Sequence, residues 1–260
     1  MENSFEQEAE LENVITPQIT GKRWGLWATL GFSAIIIAAY ILIQGFVAGF
    51  LYGFKLATNP GLNQEEFFAS LINSGFYLSL STIVTAWLCL VLICIFVAIR
   101  GDNTIRQYLN LNNFSIKSVI VWLAGTYVFL FAWQYIYVIF NLPQSTFMVD
   151  AYKSAGNITL LWIAIVIAAP VLEEFFFRGF LFDGLRDSKL GSVGAIVITS
   201  GLWGIIHQQY GMLEITFIMI LGIIFGIARI QTRSLYTPIA MHIFVNFNAM
   251  MAVTMMTQGQ

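Results

Sequence analysis

The chain has 260 residues, of which 58% are hydrophobic and only 10% are charged, and its mean hydropathy is +0.77. These values exclude an ordinary water-soluble domain, in which charged residues make up about 25% of the sequence. The net charge of −2 offers no basic surface for nucleic acid, so nucleic-acid binding is also excluded.

The amino-terminal segment, residues 1–23, is polar and collects acidic residues between Glu2 and Glu12. We interpret it as a disordered cytoplasmic tail, because it contains too few apolar residues to form a core. The apolar stretch that follows is too long for the core of a signal peptide and is expected to stay in the mature protein. Residues 24–256 are interpreted as a single transmembrane domain.

Apolar stretches follow one another along this domain. A helix needs about 20 apolar residues to cross the hydrocarbon core of a bilayer. Stretches of that order lie at residues 24–52, 78–99, 117–140, 158–186, 191–208, 213–230 and 236–256. The sequence therefore predicts an all-α, polytopic transmembrane bundle of about seven spans, within a range of six to eight. Between the first two spans, Glu65, Glu66, Phe67 and Phe68 predict a short amphipathic segment on the membrane surface.

The basic residues predict how the bundle is oriented, because cytoplasmic loops collect Lys and Arg. With the amino terminus in the cytoplasm, seven alternating spans place on the inner side Lys22, Arg23, Arg100, Arg106, Lys117, Arg186, Lys189, Arg229 and Arg233. Only Lys55 and Lys153 then fall on the outer side. The expected location is the cytoplasmic (inner) membrane of a prokaryote.

A few polar and ionisable residues lie inside the predicted spans. A charge at the bilayer centre costs at least about 2.5–3.5 kcal/mol, so such residues face the bundle interior and indicate function. The fourth span contributes Glu173, Glu174 and Arg178, the fifth contributes Trp203 and His207, and the seventh contributes His242 and Asn246.

The helical spacing gives the two adjacent glutamates different environments. Glu174 and Arg178 are four residues apart and share a helix face, so they can form a neutral pair. Glu173 is turned about 100° away from this pair and is expected to lack a partner. An unpaired carboxylate beside histidines is a candidate general base that activates water.

His242 and Asn246 are also four residues apart and share one helix face. Two such donors can stabilise the negative oxygen that develops on a carbonyl, which is often worth about 3–4 kcal/mol per donor. Pro170 and Pro238 precede these motifs and can loosen the helices or expose carbonyl groups to a cavity. The combination suits amide hydrolysis.

Three motifs in order, each on its own hydrophobic helix, carry a resemblance to a known family: Glu173-Glu174-x-x-x-Arg178, Trp203-x-x-x-His207 and His242-x-x-x-Asn246. The chain resembles the CAAX prenyl endopeptidases and bacteriocin-processing enzymes, a family of intramembrane glutamate proteases. The likeness covers about the last hundred residues, 158–256. The other pair, Glu65-Glu66, fails the pattern because Ser70 stands where an arginine is needed. Trp203 departs from the phenylalanine usual in the second motif.

The resemblance implies a metal-independent endopeptidase that needs no cofactor and cleaves a peptide bond of a membrane-associated protein or peptide. It implies that Glu173 activates water with His207 and that His242 and Asn246 form the oxyanion site. It further implies that Glu174 and Arg178 position the first of the three helices. A lipidated tail, as in the eukaryotic members, is among the candidate substrates.

Two other interpretations stay open. The first is a zinc-dependent intramembrane protease, because one Glu and two His suffice as ligands, although the sequence lacks His-Glu-x-x-His. Cys89 and Cys94 have no metal-binding spacing and are interpreted as small hydrophobic residues. The buried polar residues would also suit a non-proteolytic membrane protein that binds a partner, provides immunity or transports an ion. In that case Glu174 and Arg178 form only a structural ion pair.

Overall fold

The computed structural model of the protein describes residues 21–59, 61 and 63–258. Helices are the only regular secondary structure within these residues. In chain order they are α1 (Leu26–Thr58), α2 (Gln64–Ile72), α3 (Gly75–Arg100), α4 (Ile105–Tyr108), α5 (Ile116–Ile139), α6 (Phe147–Lys153), α7 (Ile158–Arg186), α8 (Gly191–Ile205), α9 (Met212–Thr232) and α10 (Tyr236–Gln258).

Six helices in the described part of the chain are long and apolar enough to cross a membrane: α1, α3, α5, α7, α9 and α10. Helix α8 is apolar but has only 15 residues. The predicted all-α polytopic membrane bundle is thus confirmed, and the count lies within the predicted range of six to eight. The predicted fourth span, 158–186, coincides with α7.

Helix α7 is the central helix of the bundle. Of the residues in its most apolar window, 44% are buried, compared with 6% for α5. Large apolar side chains on the outer helices, such as Trp27 and Phe46 of α1, are exposed and provide the surface for lipid. The polar residues of α7 therefore lie inside the bundle.

The backbone of α7 is not a uniform α-helix. Its segments Ile163–Ala168 and Phe175–Leu181 are π-helical, and they flank the α-helical segment Ala169–Glu174 that carries both glutamates. Such π-helical turns are rare and are frequently found at functional sites. Each widens the helix and changes the direction in which the following side chains point.

Small residues bring α8 and α9 close together. A Cβ atom on Gly222 would lie 2.8 Å from Cβ of Ser200, and one on Gly226 would lie 3.0 Å from Cγ1 of Ile196. Close contact between backbones at small residues is a common way to pack helices in membranes. It brings Trp203 of α8 and the Gly222 carbonyl group of α9 next to α7.

The segments outside the long helices agree in part with the sequence analysis. The amphipathic segment predicted at residues 65–68 is helix α2, and the Phe67 ring stacks on Tyr52 of α1 with centroids 6.1 Å apart. Residues 1–20 of the predicted tail lie outside the described residues. At residue 23 the chain is already packed, because the Arg23 side chain is 5% exposed and pairs with Asp183.

Candidate active site

Side chains from different helices converge on one cavity of 520 Å³ between the helices. The residues of the three sequence motifs that line it are Glu173, Trp203, His207, His242 and Asn246. The two other predicted site residues, Glu174 and Arg178, are fully buried and do not line the cavity. They lie directly behind it, where they contact the side chains that do.

Glu174 and Arg178 form the ion pair predicted from their spacing. Nη1 of Arg178 donates to Oε1 of Glu174 at 3.0 Å, and Nη2 donates to the carbonyl oxygen of Gly222 at 3.4 Å. The guanidinium carbon lies 4.5 Å from the centroid of the Trp203 ring. Arg178 thus connects α7 to both α8 and α9 while neutralising the buried carboxylate.

The same oxygen of Glu174 also orients His242. Nδ1 of His242 lies 2.9 Å from Oε1 of Glu174. A carboxylate that is paired with an arginine only accepts hydrogen bonds, so we assign the proton of this contact to Nδ1. In a neutral imidazole Nε2 is then a proton acceptor, and it lies 4.0 Å from Oε2 of Glu173. Glu174 therefore positions a histidine in addition to holding helices together.

Glu173 is not left without a partner, which corrects the expectation from the helix faces. The indole Nε1 of Trp203 donates a hydrogen bond to Oε2 of Glu173. The side chain of Glu173 is 21% exposed, and it lines the cavity. Trp203 thus supplies a donor to the candidate base, a role that a phenylalanine at this position cannot have.

His207 lies two residues beyond the end of α8, in the connection to α9. Its Nδ1 is 2.7 Å from the carbonyl oxygen of Trp203, an acceptor, so we assign a proton to Nδ1 here too. Nε2 is then available as an acceptor. Among the contacts of the described residues, no hydrogen bond joins His207 directly to Glu173, although both line the same cavity.

Asn246 is held by an unusual feature of α7. In the first π-helical segment the N–H of Ala169 bonds to the carbonyl of Ala164, so the next bond in the series would join residue 170 to Ile165. Pro170 has no N–H to donate. Instead, Nδ2 of Asn246 donates to the Ile165 carbonyl oxygen at 2.8 Å. An amide carries two N–H groups, so one remains for another acceptor.

Some cavity residues were not identified from the sequence. They are Tyr40 of α1, Tyr77 of α3, Tyr210 before α9 and Glu214 in the first turn of α9. Glu214 stands at the start of a predicted span, where an acidic residue resembles an ordinary end of a helix. Cys89 and Cys94 are both free thiols. Within the described residues, no group of three His, Cys, Asp or Glu side chains is arranged to hold a metal ion.

The fold and the cavity define a class: a polytopic helical membrane protein with a carboxylate, two imidazoles and an amide grouped around an internal cavity. Comparison with known proteins agrees with this class. Residues 155–248 match the family model described as type II CAAX prenyl endopeptidase Rce1-like. This range contains all three motifs, and the resemblance to the CAAX prenyl endopeptidases predicted from them is confirmed.

Three bacterial proteins are similar to parts of the chain. An uncharacterized 24.3 kDa protein of Escherichia coli is 33% identical over 106 residues, which cover 39% of this chain and 48% of the relative. YdiL of Bacillus subtilis (strain 168), provisionally named a membrane peptidase, is 27% identical over 164 residues, with 61% and 65% covered. The membrane-embedded CAAX protease MroQ of Staphylococcus aureus (strain USA300) is 28% identical over 97 residues, with 35% and 38% covered.

The chain thus covers less than two thirds of the length of each of these relatives. No solved structure matches the chain significantly.

Proposed function

We propose that this protein is an intramembrane glutamate endopeptidase, which hydrolyses a peptide bond of a membrane-associated protein or peptide. The proposal rests on one observation: Glu173, His207, His242 and Asn246 line the same cavity, although they come from three separate parts of the chain. The resemblance to the CAAX prenyl endopeptidases supports the same reaction. A lipidated tail is a candidate substrate.

In the proposed reaction Glu173 and His207 activate a water molecule. Glu173 has one oxygen held by the indole of Trp203, so its orientation toward the cavity is restricted. The unprotonated Nε2 of His207 fixes the water by accepting one of its protons in a hydrogen bond. The water oxygen attacks the carbonyl carbon as its proton passes to Glu173. This proton then goes to the nitrogen of the scissile bond, which leaves as an amine.

Asn246 and His242 form the proposed oxyanion site. Asn246 provides the N–H that the Ile165 carbonyl does not use. His242 donates from Nε2 only as an imidazolium, because its Nδ1 proton is directed at Glu174. We therefore propose that the proton that Glu173 takes from the water passes on to Nε2 of His242, which lies 4.0 Å from Oε2 of Glu173, and is donated from there in a hydrogen bond to the developing oxyanion. The same proton returns to Glu173 before it reaches the leaving nitrogen.

We further propose that the protein lies in the inner membrane of a prokaryote with its amino terminus in the cytoplasm. Arg23, Arg186 and Arg229 all pair with Asp183, so these basic side chains lie at one end of the bundle. Cytoplasmic ends of membrane proteins are enriched in such residues. The cavity is lined by residues of the connections at the opposite end, Asn73 and Gln209 among them. A substrate would then enter from the non-cytoplasmic side.

The test is hydrolysis of a fluorogenic peptide library by the purified protein in detergent. Glu173→Gln and His207→Ala are expected to reduce turnover by about 10²–10⁴-fold, the usual contribution of a general base. Glu65→Gln, in the exposed helix α2, is the matched control and is expected to leave turnover unchanged. Equal turnover in all of these variants would reject the catalytic assignment.

The same assay separates this proposal from zinc-dependent hydrolysis. A glutamate mechanism predicts that turnover is unchanged after dialysis against a strong chelator and that zinc addition does not increase it. Loss of turnover in chelator, restored by zinc, would instead indicate a metalloprotease. Full function of Glu173→Gln in cells would indicate a binding role.

A further inference from the structure

A second carboxylate lines the cavity and has no part in the proposed chemistry. Glu214 is in the first turn of α9, and its neighbours along the cavity wall include Phe147 of α6 and Tyr210. Glu173 and Glu214 are the acidic residues of the lining, and none of the lysines and arginines in the described part of the chain contributes to it. The cavity therefore carries a negative charge that its walls do not balance.

Glu214 is held in place through one of its oxygens. The backbone N–H of Ser145 donates to Oε1 at 3.3 Å. The hydroxyl group of Tyr137 in α5 lies near this carboxylate, but within the described residues it has no hydrogen-bond partner at bonding distance, and no hydrogen bond uses Oε2 of Glu214. An acidic residue in the first turn of a helix commonly stabilises that helix. Glu214 differs from this common case because its side chain faces a cavity, where its second oxygen is available to a ligand.

Aromatic rings complete the surroundings of this carboxylate. The rings of Phe147 and Tyr210 meet edge to face with centroids 5.6 Å apart, and Tyr210 stacks on His207 at 6.2 Å. Burial, together with the negative charges of Glu173 and Glu214, raises the pKa of Tyr210, so its hydroxyl group remains a donor. A carboxylate beside aromatic rings is an arrangement that attracts a cationic side chain.

Two distances locate this group relative to the catalytic residues. The Tyr210 ring lies close to them, because it stacks on the His207 ring with centroids 6.2 Å apart. The Glu174–Arg178 pair behind the cavity is farther away, because Gly222, which accepts from Arg178, stands eight positions after Glu214 on α9, a rise of about 12 Å. An extended peptide advances about 3.3 Å per residue, so these distances correspond to about two to four residues of substrate.

We propose that Glu214, Phe147 and Tyr210 form a subsite for a lysine or arginine side chain of the substrate, about two to four residues from the bond that is cut. This inference rests on the proposed function for its meaning, but it concerns binding and can be measured separately. The substrate class is then a membrane-associated peptide or protein with a basic residue near the cleavage site.

The test uses sets of peptides that are identical except for lysine, norleucine or glutamate at one position between two and five residues from the cut bond. Glu214→Gln keeps an oxygen that can accept from Ser145, so the fold is expected to be retained. We expect kcat/KM for the best lysine peptide to fall about tenfold in this variant, the worth of one charged hydrogen bond. The norleucine peptide should be unaffected, and Glu214→Lys should reverse the preference toward glutamate. Glu65→Gln is the control.

Binding of the same peptides, followed by fluorescence anisotropy with Glu173→Gln protein, distinguishes this inference from the proposed function. A preference for lysine that depends on Glu214, without any hydrolysis by the wild-type protein, would support the subsite and reject the protease. Equal binding of the three peptides, or no binding of any, would overturn the subsite. Hydrolysis that is indifferent to the varied residue would overturn it while leaving the protease intact.

Discussion

Carboxylates at the two ends of the bundle differ in how many partners they have. At the basic end the carboxylate of Asp183 is fully buried and accepts from Asn110 at 3.1 Å. It also pairs with Arg186 at 3.0 Å, Arg23 at 3.3 Å and Arg229 at 3.6 Å. At the cavity, by contrast, Glu173 has one indole donor and Glu214 one backbone donor.

This difference separates charges that hold the helices together from charges that remain available. The groups around Asp183 come from α7, α9, the segment before α1 and the segment after α4, so a single carboxylate joins four parts of the chain. The cavity residues keep an unused oxygen, nitrogen or N–H. Arg229 connects the two regions, because its Nε donates to the carbonyl oxygen of Arg178 at 3.2 Å.

Removal of the carboxylate at the basic end should have the largest effect on stability. Asp183→Ala leaves the buried Arg229 without its carboxylate and leaves Arg23 with only the half-exposed Asp187, and a broken buried ion pair typically costs about 3–5 kcal/mol. We expect a large fall in the thermal unfolding temperature of the detergent-solubilised protein and low yields. Asp187→Ala is the matched control, because the Asp187 side chain is 44% exposed, and it should change the temperature little. Similar unfolding temperatures for both variants would refute the anchoring role of Asp183.

Glu174→Gln tests the boundary between the two regions. One oxygen of Glu174 accepts from both Arg178 and His242, so the oxygen of glutamine can keep both contacts. The substitution still removes the negative charge beside a fully buried guanidinium, so we expect the unfolding temperature to fall, by less than in Asp183→Ala because only one arginine loses its carboxylate. An uncharged amide also stabilises an imidazolium at His242 less than a carboxylate does, so we expect kcat to fall about 10–10²-fold, the worth of one charged hydrogen bond. Turnover of a fluorogenic peptide measures the effect, with KM expected to stay near the wild-type value. Wild-type kcat in this variant would show that His242 does not depend on Glu174.

The sequence predicted the features that depend on local periodicity. The length of α7 and the pairing of Glu174 with Arg178 both follow from apolar run length and from the four-residue spacing of a helix. Helix α8 was predicted to reach residue 208 but ends at Ile205. His207 therefore lies in a connection and not within a span, where its ring can reach the cavity from the end of the bundle.

Other features of the site depend on packing and could not be obtained from the sequence. The angle of about 100° between Glu173 and Glu174 follows from regular α-helical geometry, which says nothing of neighbours on other helices. The indole donor of Trp203 comes from such a neighbour, which depends on the small residues between α8 and α9. Likewise, the contact of Asn246 with Ile165 exists because Pro170 stands in a π-helical turn. Pro238, in the first turn of α10, frees no such carbonyl, since N–H groups there lack helical partners anyway.

Trp203→Phe should have the smallest effect of these substitutions, because it removes a single hydrogen bond to a cavity carboxylate. Phenylalanine keeps an aromatic ring beside Arg178 but removes the N–H that holds Glu173, so the carboxylate gains freedom while the helix packing is preserved. Loss of one hydrogen bond to a charged group is expected to lower kcat about tenfold, with little change in unfolding temperature. Trp87→Phe is the matched control, since Trp87 of α3 is 68% exposed on the lipid-facing surface.

An unchanged kcat in Trp203→Phe would mean that the indole packs against Arg178 without orienting the base. Phenylalanine, the residue usual at this position in the family that the chain resembles, would then be fully equivalent here.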